Sequence, residues 1–100
     1  MNQLTLTATL VERQALRYTP AGVPVLGFTL AYAGEVMEAG AARQLGFELP
    51  ALAIGDIALS AERIAIGQNI VWTGFLAPKK QGAKQIDFHV TAFESGTLQA

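Results

Sequence analysis

The sequence predicts an all-β fold, a five-stranded barrel with one short helix between its third and fourth strands, in a single domain over residues 1–100. Three observations predict it. Most of the chain alternates apolar with polar residues, the period-2 signature of half-buried strands. Turn residues separate these runs, beginning with Thr19-Pro20-Ala21-Gly22, where proline second and glycine fourth suit a type I turn. The one stretch with helical spacing follows Gly55 and is only one or two turns long.

Taken in order, the first strand runs roughly from Gln3 to Val11, with Leu4, Leu6, Ala8 and Leu10 on one face and Thr5, Thr7 and Thr9 on the other. The hairpin of Leu16–Val25 leads into a second strand whose apolar set is Leu26, Phe28 and Leu30. Ala33–Ala42 is rich in glycine and alanine, breaks the alternation, and reads as a mobile loop with room for a short helix. A third strand starts near Arg43 with Leu45, Phe47 and Leu49 toward the core. Pro50 interrupts it, so Leu52 and Ile54 are expected to continue with reversed parity. Asp56 is placed to cap the helix that carries Ile57 and Ala61. The fourth strand, Ile70–Leu76, has Gly74 inside it, the mark of a bend or close backbone approach. After a lysine-bearing loop the fifth strand covers Gln85–Glu94, with Ile86, Phe88, Val90 and Ala92 inward, and Ser95–Ala100 reads as a frayed end. Five strands with a helix in that position is the order of an OB-fold.

Composition removes several classes of function. There is no cysteine, so neither a disulfide framework nor a thiolate metal site is possible. No basic segment leads into an apolar stretch at the start, and no apolar run approaches the ~20 residues of a membrane span, so a cytoplasmic protein without membrane contact is expected. Catalytic signatures are missing too: His89 is the only histidine and falls on the outer face of the last strand with Asp87 and Thr91, where an ordinary solvated side chain is expected. Neither a nucleophile elbow nor a phosphate-cradling loop is present. The reading is of a non-enzyme that needs no cofactor.

Charge points to a modest binding role. Seven basic and eight acidic residues give a net charge of −1, so generic attraction to nucleic acid is absent and any binding must come from a local cluster. Such a cluster exists. Lys79, Lys80 and Lys84 lie on one loop, and Arg13 and Arg17 lie on or beside the first hairpin. In an OB-fold those loops flank the sheet face that binds oligonucleotides. Stacking rings are scarce: Phe28, Phe47, Phe88 and Trp72 have core parity, leaving Tyr18 and Phe75 outside, while Glu48 and Asp87 share the outer face and would repel phosphate.

Leu16-Arg17 followed by Pro20-x-Gly22-x-Pro24, then Glu38-Ala39-Gly40 leading to Arg43-Gln44, then Gly67, Gly74-Phe75 and finally His89 occur in this order nearly end to end. In these residues the chain resembles the family of primosomal replication protein N, small relatives of bacterial single-stranded DNA-binding protein. The resemblance implies a homodimeric OB-fold that binds single-stranded DNA, helps restart replication, and stimulates the primosomal helicase among other primosome proteins. It places DNA contacts on Arg17, Arg43, Lys79, Lys80 and Lys84, to which Tyr18 is added from the hairpin. Where better-known members carry a tryptophan on the third strand, this chain has Gly46.

Two other functions remain open at this stage: a general coating protein for single-stranded DNA, and an OB-fold subunit that makes protein contacts only. A coating protein of that kind normally extends into an acidic-tipped tail, whereas this chain stops about six residues after its last strand, which favours the restart factor. The threonine ladder Thr5, Thr7 and Thr9 lacks the charges and prolines that protect an edge, so a homodimer paired through the first strand is expected.

Overall fold

The threonine-leucine alternation forms β1 (Leu4–Arg13), which buries Ala8 and Leu10 and leaves Thr5 and Thr7 in solvent. The structure, a computed structural model, describes residues 1–95; the rest of the expected frayed end lies outside the described residues. After β1 come β2 (Arg17–Tyr18), β3 (Pro24–Glu38), β4 (Ala41–Ile54), α1 (Asp56–Ala61), β5 (Asn69–Pro78) and β6 (Ile86–Ser95). β1 pairs antiparallel with β5 through Leu4–Thr9 and with β3 through Thr9–Arg13. β3 pairs with β4 and β5 with β6, both antiparallel, while a short parallel contact of Ala51 with Phe88 and Leu52 with His89 joins β4 to β6. The ring β1–β5–β6–β4–β3 closes on itself. This is the expected five-stranded OB barrel, with the two-residue β2 appended to β3.

Trp72 is the centre of the core. It is fully buried, its ring lies 5.3 Å from Phe28 and 5.6 Å from Phe93, and its indole N–H donates to the Ala8 carbonyl at 3.0 Å. Trp72→Phe leaves a void and an unpaired carbonyl, so we expect a loss of about 1–3 kcal/mol in urea unfolding with oligonucleotide binding unchanged. Gly74 lies in the interior of β5 because a Cβ there would overlap the His89 carbonyl oxygen and stand 2.9 Å from Val90 Cα. Between Thr73 and Gly74 the β5–β6 register shifts, leaving Thr91 as the extra residue. That phase change exposes Ala92 and turns Phe93 inward; Ile86, at the other end of β6, is also exposed.

Ala33–Ala42 is neither a loop nor a helix. β3 and β4 run through it in one constant register from Val25↔Ile54 to Glu38↔Ala41. Ala39 and Gly40, both left-handed at φ 54° and 79°, form the two-residue turn between them. Positive φ at both central positions matches the twist of the paired strands, which is why so short a connection suffices. The 14 residues of β4 span about 45 Å and account for most of the molecule's 50 Å long dimension. The outer half of this hairpin is therefore an arm that extends beyond the barrel.

The arm corrects two further expectations. Phe47 has core parity but no core beneath it. It is 43% exposed and stacks on Tyr32 at 5.2 Å, with the Tyr32 hydroxyl laid over Gly34. Nor does parity reverse at Pro50, because Leu49, Ala51 and Ala53 all face inward while Leu52 is half-buried and Ile54 exposed. Pro50 faces Thr29 in the unbroken ladder, and β6 joins the other edge of β4 only from Ala51, so a free edge is there for a residue without an N–H. Asp56 does not cap α1: Gly55 occupies that position without a side-chain hydrogen bond, and Asp56 is the first helical residue, its charge still suited to the positive end of the helix. The helix buries Ala58 and Ala61 against the barrel, with Ile57 half-buried beside them.

Candidate nucleic-acid interface

The first basic loop owes its shape to Thr19. Its carbonyl accepts from Gly22 N–H at 2.8 Å, its own N–H donates to the Val23 carbonyl at 2.9 Å, and its hydroxyl accepts from Val23 N–H at 3.2 Å. With Gly22 left-handed at φ 84°, this turn seats β2 beside Pro24 and Val25 and sets Arg17 and the 58%-exposed Tyr18 in solvent. The second loop is closed by Lys79 N–H to the Gln85 carbonyl and Ala83 N–H to the Lys80 carbonyl, each 2.9 Å. Lys79, Lys80 and Lys84 all project from it exposed.

Arg17 and Lys79 meet across a groove of about 140 Å³ on the outer face of the barrel, whose lining includes Gln14, Gly27, Pro50, Leu52 and Asp87. The arrangement brings one cation from each loop to the same opening. Asp87 departs from the solvated side chain expected of its parity: it is only 7% exposed, and its Oδ1 has no hydrogen-bond partner. Burying a carboxylate oxygen unpaired costs on the order of 1–3 kcal/mol, so its position in the groove calls for a reason. Beside it, His89 is half-buried and stacks on Phe75 at 5.0 Å with the rings 12° from parallel, forming an aromatic platform on the same outer face. Residue-type counting missed this pair because the two rings become neighbours only through the β5–β6 register Phe75↔His89.

The remaining basic residues have other surroundings. Arg13 donates to the Ile64 carbonyl and is half-buried, which ties it to the loop after α1 rather than to the groove. Arg43 pairs with Glu38 near the tip of the arm, about 23 Å along β4 from Pro50. Gly46 lies exposed on the arm, and a Cβ added to it would meet only the Tyr32 carbonyl at 3.8 Å. A larger side chain there has open space, so Gly46→Trp is expected to fold normally and strengthen binding to a fluorescent oligonucleotide by about 1–3 kcal/mol. Thr5, Thr7 and Thr9 line the outer side of β1 beside Thr73, Val71 and Asn69 of β5. From Leu4 to Ala8 the opposite edge of β1 pairs with no strand among the described residues. Among those residues no group of His, Asp or Glu is placed to hold a metal ion, and no helix is long and apolar enough to cross a membrane.

A closed five-stranded barrel with one short helix and basic loops over one sheet face defines an OB-fold protein, and comparison with known proteins gives its class. Residues 2–92 match the family described as another single-strand binding protein family. The chain is 38% identical over 90 residues to the replication restart protein PriB of Bordetella pertussis, covering 90% of this chain and 84% of that one. The crystal structure of PriB from Ralstonia solanacearum superimposes with a TM-score of 0.86 at 46% identity, covering 96% and 98% of the two chains. The SSB domain of a Synechococcus protein gives 0.72 at 26% identity, with 94% of each chain covered. The chain belongs to the PriB branch of this single-strand binding family, a family of binding proteins and not of enzymes.

Proposed function

We propose that this protein is a replication-restart accessory factor that binds single-stranded DNA weakly and stimulates the primosomal helicase through protein contacts in the cytoplasm. The observation that carries the reading is the groove that draws Arg17 and Lys79 together from two separate loops, the same loops that carry the exposed Tyr18, Lys80 and Lys84. Arg43, on the arm, extends the same path. Weakness follows from the charge distribution: the net charge is −1, Arg13 is engaged elsewhere, and Glu48 and Asp87 lie on the face a strand would follow. A mixed-charge face of that kind also suits a protein partner, so DNA and helicase compete for it.

Titration of a labelled oligonucleotide tests this reading, with binding expected at low salt and largely lost at physiological salt. Saturable binding unaffected by salt, or none at low salt, would refute it. Excess single-stranded DNA should likewise displace the protein from the helicase, whereas a ternary complex of undiminished affinities would remove the competition.

The homodimer belongs to the same reading. The unpaired edge of β1 beside Thr5, Thr7 and Thr9 offers a strand-pairing surface across a two-fold axis. Thr7→Lys places a charge on each side of that axis. By light scattering at tens of micromolar it is expected to shift the mass from dimer toward monomer, without changing the circular dichroism spectrum.

A further inference from the structure

We propose that the groove between Arg17 and Lys79 is a base-reading pocket that accepts one cytosine of a bound strand, with Asp87 accepting a hydrogen bond from the exocyclic amine. The inference rests on the single-strand-binding reading and adds to it a preference among bases.

Size comes first. At about 140 Å³ the groove is open on one side and has room for one six-membered ring, so a pyrimidine fits within it while the second ring of a purine would project from it. Chemistry then separates the two pyrimidines of DNA. An ionised carboxylate only accepts, and Asp87 carries an oxygen that no protein donor reaches. Cytosine presents an amine at the ring position where thymine presents a carbonyl oxygen, so cytosine satisfies the carboxylate and thymine sets acceptor against acceptor. Oδ1 is enclosed, so the ring meets the other carboxylate oxygen, or Oδ1 after rotation about the soft and nearly two-fold terminal torsion of aspartate.

Electrostatics fixes the orientation of the nucleotide. The buried carboxylate repels phosphate from the floor of the groove, while Arg17 and Lys79 at its wall attract it. The nucleotide is thus held base inward and backbone outward. The Phe75–His89 stack begins two residues along β6 from Asp87, a spacing of about 7 Å, and gives a neighbouring base a surface on which to lie.

The experiment compares 15-residue oligo-dC, oligo-dT and an oligonucleotide of 2-pyrimidinone, which is cytosine without its amine. Binding to the full chain is followed by fluorescence anisotropy at low salt and pH 8, where oligo-dC stays single-stranded. Oligo-dC is expected to bind about five- to tenfold more tightly than the other two. Asp87→Asn, whose amide both donates and accepts, is expected to level oligo-dC and oligo-dT. Equal affinity of the unsubstituted protein for oligo-dC and 2-pyrimidinone overturns the proposal without any appeal to a variant, and so does an Asp87→Asn protein that folds and keeps the preference. If neither oligo-dC nor oligo-dT binds, the single-strand-binding reading itself falls, and the pocket with it.

Discussion

Replacing Lys79, Lys80 and Lys84 together with alanine is expected to remove nearly all single-stranded DNA binding while leaving the barrel intact. The three side chains project into solvent from a loop whose turn is closed by backbone hydrogen bonds, so their removal takes nothing from the core. With Arg13 bound to the Ile64 carbonyl, the cations left for DNA are Arg17, these lysines and Arg43 on the arm. For single strands the logarithm of affinity falls with the logarithm of salt at about 0.7 per neutralised phosphate, so with Arg43 on the arm included each subunit should give a slope near −3.5 and the triple variant a slope near −1.5. Anisotropy titrations at three or four salt concentrations measure both slopes. An unchanged slope in the variant would move the DNA path away from this loop.

The second large effect is on stability. Gly74→Ala forces a methyl group into the His89 carbonyl and against Val90 Cα, both backbone atoms of the paired strand and therefore unable to turn aside. The two strands must separate just where the β5–β6 register shifts, beside Trp72. A loss of about 3 kcal/mol or more is expected, a large share of the stability of a domain this size. Urea unfolding measures it. A variant that unfolds at the parent's midpoint would show that the bulge can absorb the methyl group.

Much of the barrel was legible in the sequence because its signals are local. Thr19-Pro20-Ala21-Gly22 encodes its turn within four residues, Gly74 marks a close approach within its own strand, and Trp72 has the parity of buried Ile70. What was hidden depends on pairing. Gly34, Ala39 and Gly40 read as loop by type, yet Gly34 stands opposite Leu45 in the ladder and Ala39-Gly40 supplies the two left-handed residues of a tight hairpin. Period-2 spacing tells which side Phe47 is on, not whether anything lies there, so an arm projecting past the barrel looks like a core strand.

The same limit applies to the candidate site. The basic loops could be found by counting charges, but Asp87 is outward by parity and buried in fact, in a groove that Gln14 and Arg17, some seventy residues away in sequence, line together with Lys79 of the adjoining loop. Arg13 illustrates the converse: its charge suggested DNA, and a carbonyl 51 residues away claims it.

The unbroken register of β3 against β4 sets a rule for how the arm can change length. Opposed residues in an antiparallel ladder alternate between hydrogen-bonded and non-hydrogen-bonded pairs, and the two-residue turn at Ala39-Gly40 closes only one of these kinds. Deleting one residue flips every outer side chain of that strand to the opposite face; deleting one matched pair presents the turn with the wrong kind of closing pair. Two matched pairs, four residues in all, restore both conditions. The arm is thus adjustable in discrete steps of four residues, each shortening its reach by about 7 Å while the groove at its base keeps its shape.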